Sequence, residues 1–188
     1  MTDDIIFSVM KAMADEDTAT SAGPVETKLT APAVQKRHIP RGSPTMRWTL
    51  PGFCGKAKVA TSFGELPIEA LRLRDPIKTI SGSFMKVAWM DRIHLDEGFL
   101  SGFQDACPVR FQRGALGPNA PAEPTTMSPG QKVVIKREGE KPKVFSATKL
   151  TQRPNIDRML TTNATYYMFH VGEPALVLVN GMWCAVAP

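Results

Sequence analysis

From about residue 46 onward, apolar and polar positions alternate with the period of β-strands. Residues 58–61 form a short run closed by Phe63-Gly64, and residues 76–80 end in the turn Ser81-Gly82-Ser83. Between Phe84 and Leu95, the residues Met85, Val87, Trp89, Ile93 and Leu95 take alternate positions, with Lys86, Arg92 and His94 opposite. That pattern predicts one half-buried strand, with a bulge where Asp91 breaks the alternation. Val109 and Phe111 alternate with Arg110 and Gln112 before a turn at 114–118, and Val133, Ile135, Val144 and Phe145 flank a polar tip. Residues 166–171 and 175–179 are two more runs, and the second meets Asn180-Gly181 and then 182–186. Both turn residues accept positive φ, so this last pair is predicted to be a tight hairpin. The chain reads as all-β, with many short strands, tight turns and no internal repeat.

Residues 1–45 read differently. The stretch 15–44 is rich in Thr, Ala, Pro and Ser and lacks periodicity, which predicts a disordered linker. Ahead of it, Ile6, Val9, Met10 and Met13 fall at i, i+3, i+4 and i+7, with Asp3 and Asp4 in the first turn. That is a weakly helical amphipathic segment, too short to be stable alone. It either docks on a protein partner or rests on its own domain. The expected division is a flexible arm over 1–45 and a β domain over 46–188.

Composition narrows the function classes. With 43% hydrophobic and 22% charged residues among 188, the chain has the make-up of a soluble globular protein. No run approaches the ~18 apolar residues of a membrane helix. Asp3 and Asp4 stand where a secretory leader carries basic residues, so a cytoplasmic protein is expected. The net charge of +5 is spread out, and the densest basic run, 136–143, is broken by acids and turn formers. It reads as a solvated hairpin tip, so no nucleic-acid partner is expected. Cys54, Cys107 and Cys184 form no CxxC or Cys/His cluster, so neither a metal, a cofactor nor a disulfide framework is expected. A cysteine that matters here matters as a thiol.

Four ordered stretches carry a resemblance. They are 52–61 running into 64–71 (GELPIEAL), 108–117 (PVRFQRGALG), 128–133 (SPGQKV), and Phe169-His170 followed by 177–183 (VLVNGMW). Together they resemble the bacterial Hedgehog/intein (Hint) domain family, from about residue 50 to residue 188. The resemblance implies a horseshoe of short strands and hairpins in which the first and last strands meet. It also implies self-processing. In that family a cysteine opening the domain attacks the preceding carbonyl to form a thioester, and a histidine in a Thr/Ser-x-x-His motif helps protonate the scissile amide. A nucleophile or a C-terminal asparagine then resolves the intermediate.

Carried over residue by residue, the pattern is incomplete. Cys54 has the required chemistry but lies two residues nearer to Thr61 than the family's spacing places it. A gapless alignment puts Gly52 at the nucleophile position and Phe53 on the family's following Phe. Two residues along a strand move a sulfur by about 6–7 Å. Ser128-Pro129-Gly130-Gln131 matches the family's Ser-Pro-x-His with glutamine for histidine. Glutamine cannot exchange a proton near neutral pH, so Gln131 is expected to tie down a turn. His170 matches the family's Phe-His and is expected either in the cleft between the ends or as an ordinary strand histidine. The alternation points His94 to solvent, His38 lies in the arm, and neither is assigned a role. Asn180 precedes Gly181 inside a hairpin, and four residues follow Cys184, so splicing is not expected. Three functions follow: a degenerate, non-catalytic platform; an autoprocessing domain with Cys54 as nucleophile and His170 as acid/base; or an assembly protein docking through residues 3–13. The missing imidazole favours the first.

Overall fold

A computed structural model describes residues 47–136 and 140–188. The amphipathic segment at Ile6, Val9, Met10 and Met13 lies outside the described residues. Among the described residues the regular elements are mostly strands: β1 (Lys58–Thr61), β2 (Gly64–Pro67), β3 (Pro76–Lys78), β4 (Phe84–Lys86), β5 (Trp89–Leu95), β6 (Val109–Phe111), β7 (Thr125–Met127), β8 (Lys132–Ile135), β9 (Lys143–Ser146), β10 (Ile156–Arg158), β11 (Ala164–His170), β12 (Ala175–Val179) and β13 (Met182–Val186). Two short α-helices, Glu97–Gly102 and Ala147–Leu150, and two 3-10 turns, Ile68–Ala70 and Gln104–Ala106, interrupt them.

The closing hairpin organises the fold. Asn180 and Gly181 adopt φ of 45° and 80°, and β12 pairs with β13 from Val179↔Met182 to Ala175↔Val186. Val177 and Cys184 face the main core, whereas Leu176 and Ala185 face a smaller cluster. Covered on both faces, this hairpin is apolar almost throughout, as strands without a solvent face are. It is flanked by β1, at Val59↔Val179, and by β8, at Cys184↔Val133. Strands from both ends of the domain therefore share one eight-stranded sheet, ordered β4-β3-β1-β12-β13-β8-β9 with β2 on β1, curled into a half-barrel.

The remaining strands form two ribbons, β10-β6-β7 and β11-β5. Phe53 stitches them together by bridging Met127 on one and Tyr167 on the other. Its ring is buried in the main core with Val59, Phe111, Met127 and Phe169, and each such burial contributes about 1.5–3 kcal/mol. A second cluster gathers Leu95, Leu100, Ala106, Cys107, Ala164 and Tyr166.

Several elements differ from the sequence reading. Residues 84–95 form two strands, because Val87 and Ala88 leave the ladder: Val87 bonds to Asp75 and Ala88 to His170. There is no bulge at Asp91, which pairs with Met168 in an unbroken β5–β11 register. Asp91 interrupts the apolar alternation because that end of β5 is exposed, Trp89 included. Strands β2, β7 and β10 and both helices carry too little periodicity to have been read. The helix at Glu97–Gly102 is capped by Asp96, whose carboxylate accepts from Phe99 N at 2.9 Å. His94 is exposed and bonds Thr165 Oγ1 at 2.9 Å. No described helix is long and apolar enough to cross a membrane.

Candidate functional site at the meeting of the two ends

The segment leading into the domain is gripped by the turn 128–131. Trp48 Nε1 donates to Ser128 Oγ at 2.8 Å, and Ser128 Oγ in turn donates to the carbonyl of Leu50. Ser128 N donates to Gly52 O at 2.9 Å, and Gly52 N donates to Gln131 Oε1 at 3.0 Å. One residue on, Phe53 and Tyr167 exchange both backbone bonds at 2.9 and 2.8 Å, and Cys54 N reaches Thr126 O at 3.0 Å. Gly130 lets the two segments touch: a Cβ there would run into the backbone of Thr49 and Leu50.

Gln131 is 1% exposed and uses its whole carboxamide. Besides accepting from Gly52, it donates through Nε2 to Ala185 O at 2.9 Å and Lys132 O at 3.1 Å. Two carbonyls and one amide N–H fix which end is oxygen, since the flipped group would set like against like. The expectation of a local turn tie is too small. Gln131 joins the segment before β1 to the last strand, 79 and 54 residues away in sequence.

Beside this junction opens a cleft of about 1070 Å³, whose walls include Pro51, Gly52, Gln131, Met168, His170 and Ala185. His170 stacks on Trp89, with ring centroids 5.4 Å apart and planes at 13°. Its Nδ1 accepts from Gly172 N at 3.1 Å, which in the neutral ring puts the hydrogen on Nε2. The charged side chains of the lining are Arg47, Lys132, Lys149 and Asp105, the last also 3.4 Å from Arg158.

Cys54 is not part of that lining. It packs at the edge of the second cluster, near Trp48 and Tyr166, and burial pushes its thiol pKa from 9.0 up to about 12. Burial also raises the Tyr166 hydroxyl, with the Cys54 and Cys107 thiols adding to the effect. That hydroxyl donates to Ala106 O at 2.6 Å. Cys184 lies in the main core, its thiol also raised by burial, so Cys54 and Cys184 belong to different clusters. At position 52 there is no side chain. The backbone has φ of 146°, and a Cβ would stand 3.0 Å from Tyr166 Cβ and 3.2 Å from Tyr167 O.

Asn180 does more than turn a hairpin. Its Oδ1 accepts from Lys58 N at 2.9 Å and its Nδ2 donates to Thr125 Oγ1 at 2.6 Å, pinning the start of β1 and β7 to the turn. Trp48 and Gly130 escaped the sequence reading. The one available signal was a glycine in the variable place of the Ser-Pro-x-Gln motif.

Strands from the two ends of the described domain meet in one sheet, and a turn from between them grips the segment that leads into the first of them. That is the layout of an intein-like β domain. The family model for the Hint domain matches residues 51–186, and the chain belongs to the Hint domain family. It is similar to the solved structures of the gp41-1 intein (9% identity over 71% of this chain and 97% of that one, TM-score 0.42) and the MchDnaB-1 intein (8% identity, 71% and 98%, TM-score 0.45). It is also similar to a splice-inactive, GSH-linked variant of the AceL NrdHF class 3 split intein (12% identity, 72% and 97%, TM-score 0.40). No curated protein matches the chain.

Proposed function

We propose that this Hint domain is a non-catalytic platform, one that keeps the seat for the upstream segment and lacks the chemistry to cut it. The observation that carries the reading is the 3.0 Å contact between Gly52 N and Gln131 Oε1. The group facing this amide is an acceptor. It takes a hydrogen from the nitrogen and has no ionisable proton to return, whereas breaking an amide requires protonation of the departing nitrogen. Two further features support it. Position 52 offers no nucleophile, and Cys54, outside the cleft and with its pKa near 12, is almost wholly thiol at neutral pH.

The competing reading makes Cys54 a nucleophile that cleaves or forms a thioester next to itself, with His170 as acid/base. It draws on His170 standing in the cleft. However, the two groups are assigned to different surroundings, one in the cleft and the other in the second cluster. Intact mass measured before and after incubation with dithiothreitol or hydroxylamine separates the two. The platform reading expects one unchanged full-length mass. Loss of the residues preceding Cys54, abolished by Cys54→Ala, would establish autoprocessing instead.

A further inference from the structure

One end of the large sheet is an exposed hairpin. β4 is the terminal strand and lies on β3 with Pro76↔Lys86, Ile77↔Met85 and Lys78↔Phe84. Ile77 is buried in the main core and Met85 packs against that core, so Lys78, Phe84 and Lys86 share the outward face. Leu73 and Arg74 border the same hollow as Met85 and Lys86. Ser62 N donates to Pro76 O at 3.1 Å, which brings the turn carrying Phe63 alongside the start of β3. Phe63, Leu73 and Phe84 are 84%, 60% and 51% exposed, and none of them lines the cleft. Apolar side chains this bare, gathered at one corner, mark a contact surface.

We propose that this corner rests on anionic lipid bilayers, with Phe63, Leu73 and Phe84 entering the interface and Arg72, Arg74, Lys78 and Lys86 meeting the headgroups. Charge selects the occupant. Residues 71–87 carry those four cations against one acid, Asp75, whose carboxylate accepts from Arg72 N at 2.8 Å. Glu65 stands across β1, on β2. Among the described residues none of the four cations has an ion pair or a side-chain hydrogen bond. Bare apolar side chains among unpaired cations fit a surface that is apolar beneath an anionic layer. Leu73 has no ring on which a nucleobase could stack, which favours lipid over single-stranded nucleic acid. Arg74 is an independent sign. Its φ of 72° lies in the left-handed region that favours glycine, so its side chain is retained against the preference of the backbone. The contact is peripheral, and it holds whether or not the upstream segment is ever cut.

Co-sedimentation of the full-length chain with vesicles tests it, using phosphatidylcholine alone and phosphatidylcholine with about one-third phosphatidylserine, at about 0.15 M salt. The expected result is capture by the mixed vesicles only, weakened about thirtyfold in K78Q/K86Q, since each cation near the surface contributes about fivefold. L73S/F84S should weaken capture about tenfold, because those side chains no longer enter the interface. Both pairs are exposed, so the melting temperature should stay at the parent value. Arg74→Gly separates fold from binding: it relieves the backbone and should leave the melting temperature equal or higher, while capture falls about fivefold. No capture by the mixed vesicles, equal capture in parent and double variants, or unchanged capture in Arg74→Gly overturns the proposal. Capture that responds to K78Q/K86Q and not to L73S/F84S would mean attraction of charge without an inserted surface, and overturns it as well. So would a single-stranded RNA oligonucleotide that binds, and is weakened by the same variants, where vesicles do not.

Discussion

Gln131 and Gly52 are joined side chain to backbone across 79 residues of sequence, with the carboxamide oxygen 3.0 Å from the amide nitrogen. The same side chain holds the carbonyl of Ala185 on the last strand. One buried group thus fastens the start of the domain to its end. Gln131→Met keeps nearly the same volume and removes every side-chain hydrogen bond. It leaves Gly52 N–H and Ala185 C=O buried without that partner, so the expected loss is about 2–4 kcal/mol in urea unfolding. A loss under about 0.5 kcal/mol, the scale of a neutral surface change, would mean the group is not a fastener.

Ser128 is the second grip. Its hydroxyl links Trp48 Nε1 to Leu50 O, so Ser128→Ala removes both bonds from partly solvated partners and should cost about 0.5–1.5 kcal/mol. The local consequence is more specific. Trypsin should cut after Arg47 faster in the variant than in the parent at a temperature where both domains stay folded. Gly130→Ala should do the same by another route, because its methyl group displaces the backbone at Thr49 and Leu50. Equal cutting rates in all three proteins would show that the segment is held elsewhere.

The fold was legible where burial was two-sided or strictly alternating. The 175–186 hairpin announces itself through Asn180-Gly181, and Val109 with Phe111 through alternation, because their neighbours impose those patterns. Residues 125–127 (Thr-Thr-Met) and 156–158 (Ile-Asp-Arg) gave no such signal: each holds a single apolar residue, so no alternation shows. At the site, the replacement of histidine by Gln131 could be read directly. Its reach to Ala185 could not, since nothing local to residue 131 depends on the last strand. Likewise, the offset of Cys54 could be counted in sequence. Its burial beside Trp48 and Tyr166 depends on how Phe53 joins the two ribbons.

Asn180 separates conformation from contact. Its φ of 45° suits glycine as well as asparagine, so a purely conformational role would leave Asn180→Gly near wild-type stability. The bonds to Lys58 N and Thr125 Oγ1 predict otherwise. Asn180→Gly should cost about 1–3 kcal/mol for the lost partners. Asn180→Ala should cost about 1 kcal/mol more for the strained φ. Denaturant titration of the three proteins side by side gives both differences.

Burial of Cys54 makes stability depend on pH at the alkaline end. The thiol titrates near 9.0 when exposed and at about 12 in the folded chain. Above pH 9 the unfolded chain releases a proton that the folded chain keeps, so the folded state binds more protons and stability falls as pH rises. The contribution is whole below pH 9 and is lost progressively up to pH 12. Cys184, also raised by burial, adds a fall of the same sign. Between pH 8 and pH 10, the fall in unfolding free energy should be about 1.4 kcal/mol smaller in Cys54→Ala than in the parent, whatever the variant's absolute stability. Alkylation reports the same property directly. At pH 8 Cys54 is almost wholly thiol in the folded chain, so iodoacetamide should label it readily only on unfolding. Rapid labelling of Cys54 in the native protein, with an unchanged pH slope in the variant, would mean that the sulfur is ionised in place. That result would restore Cys54 as a candidate nucleophile.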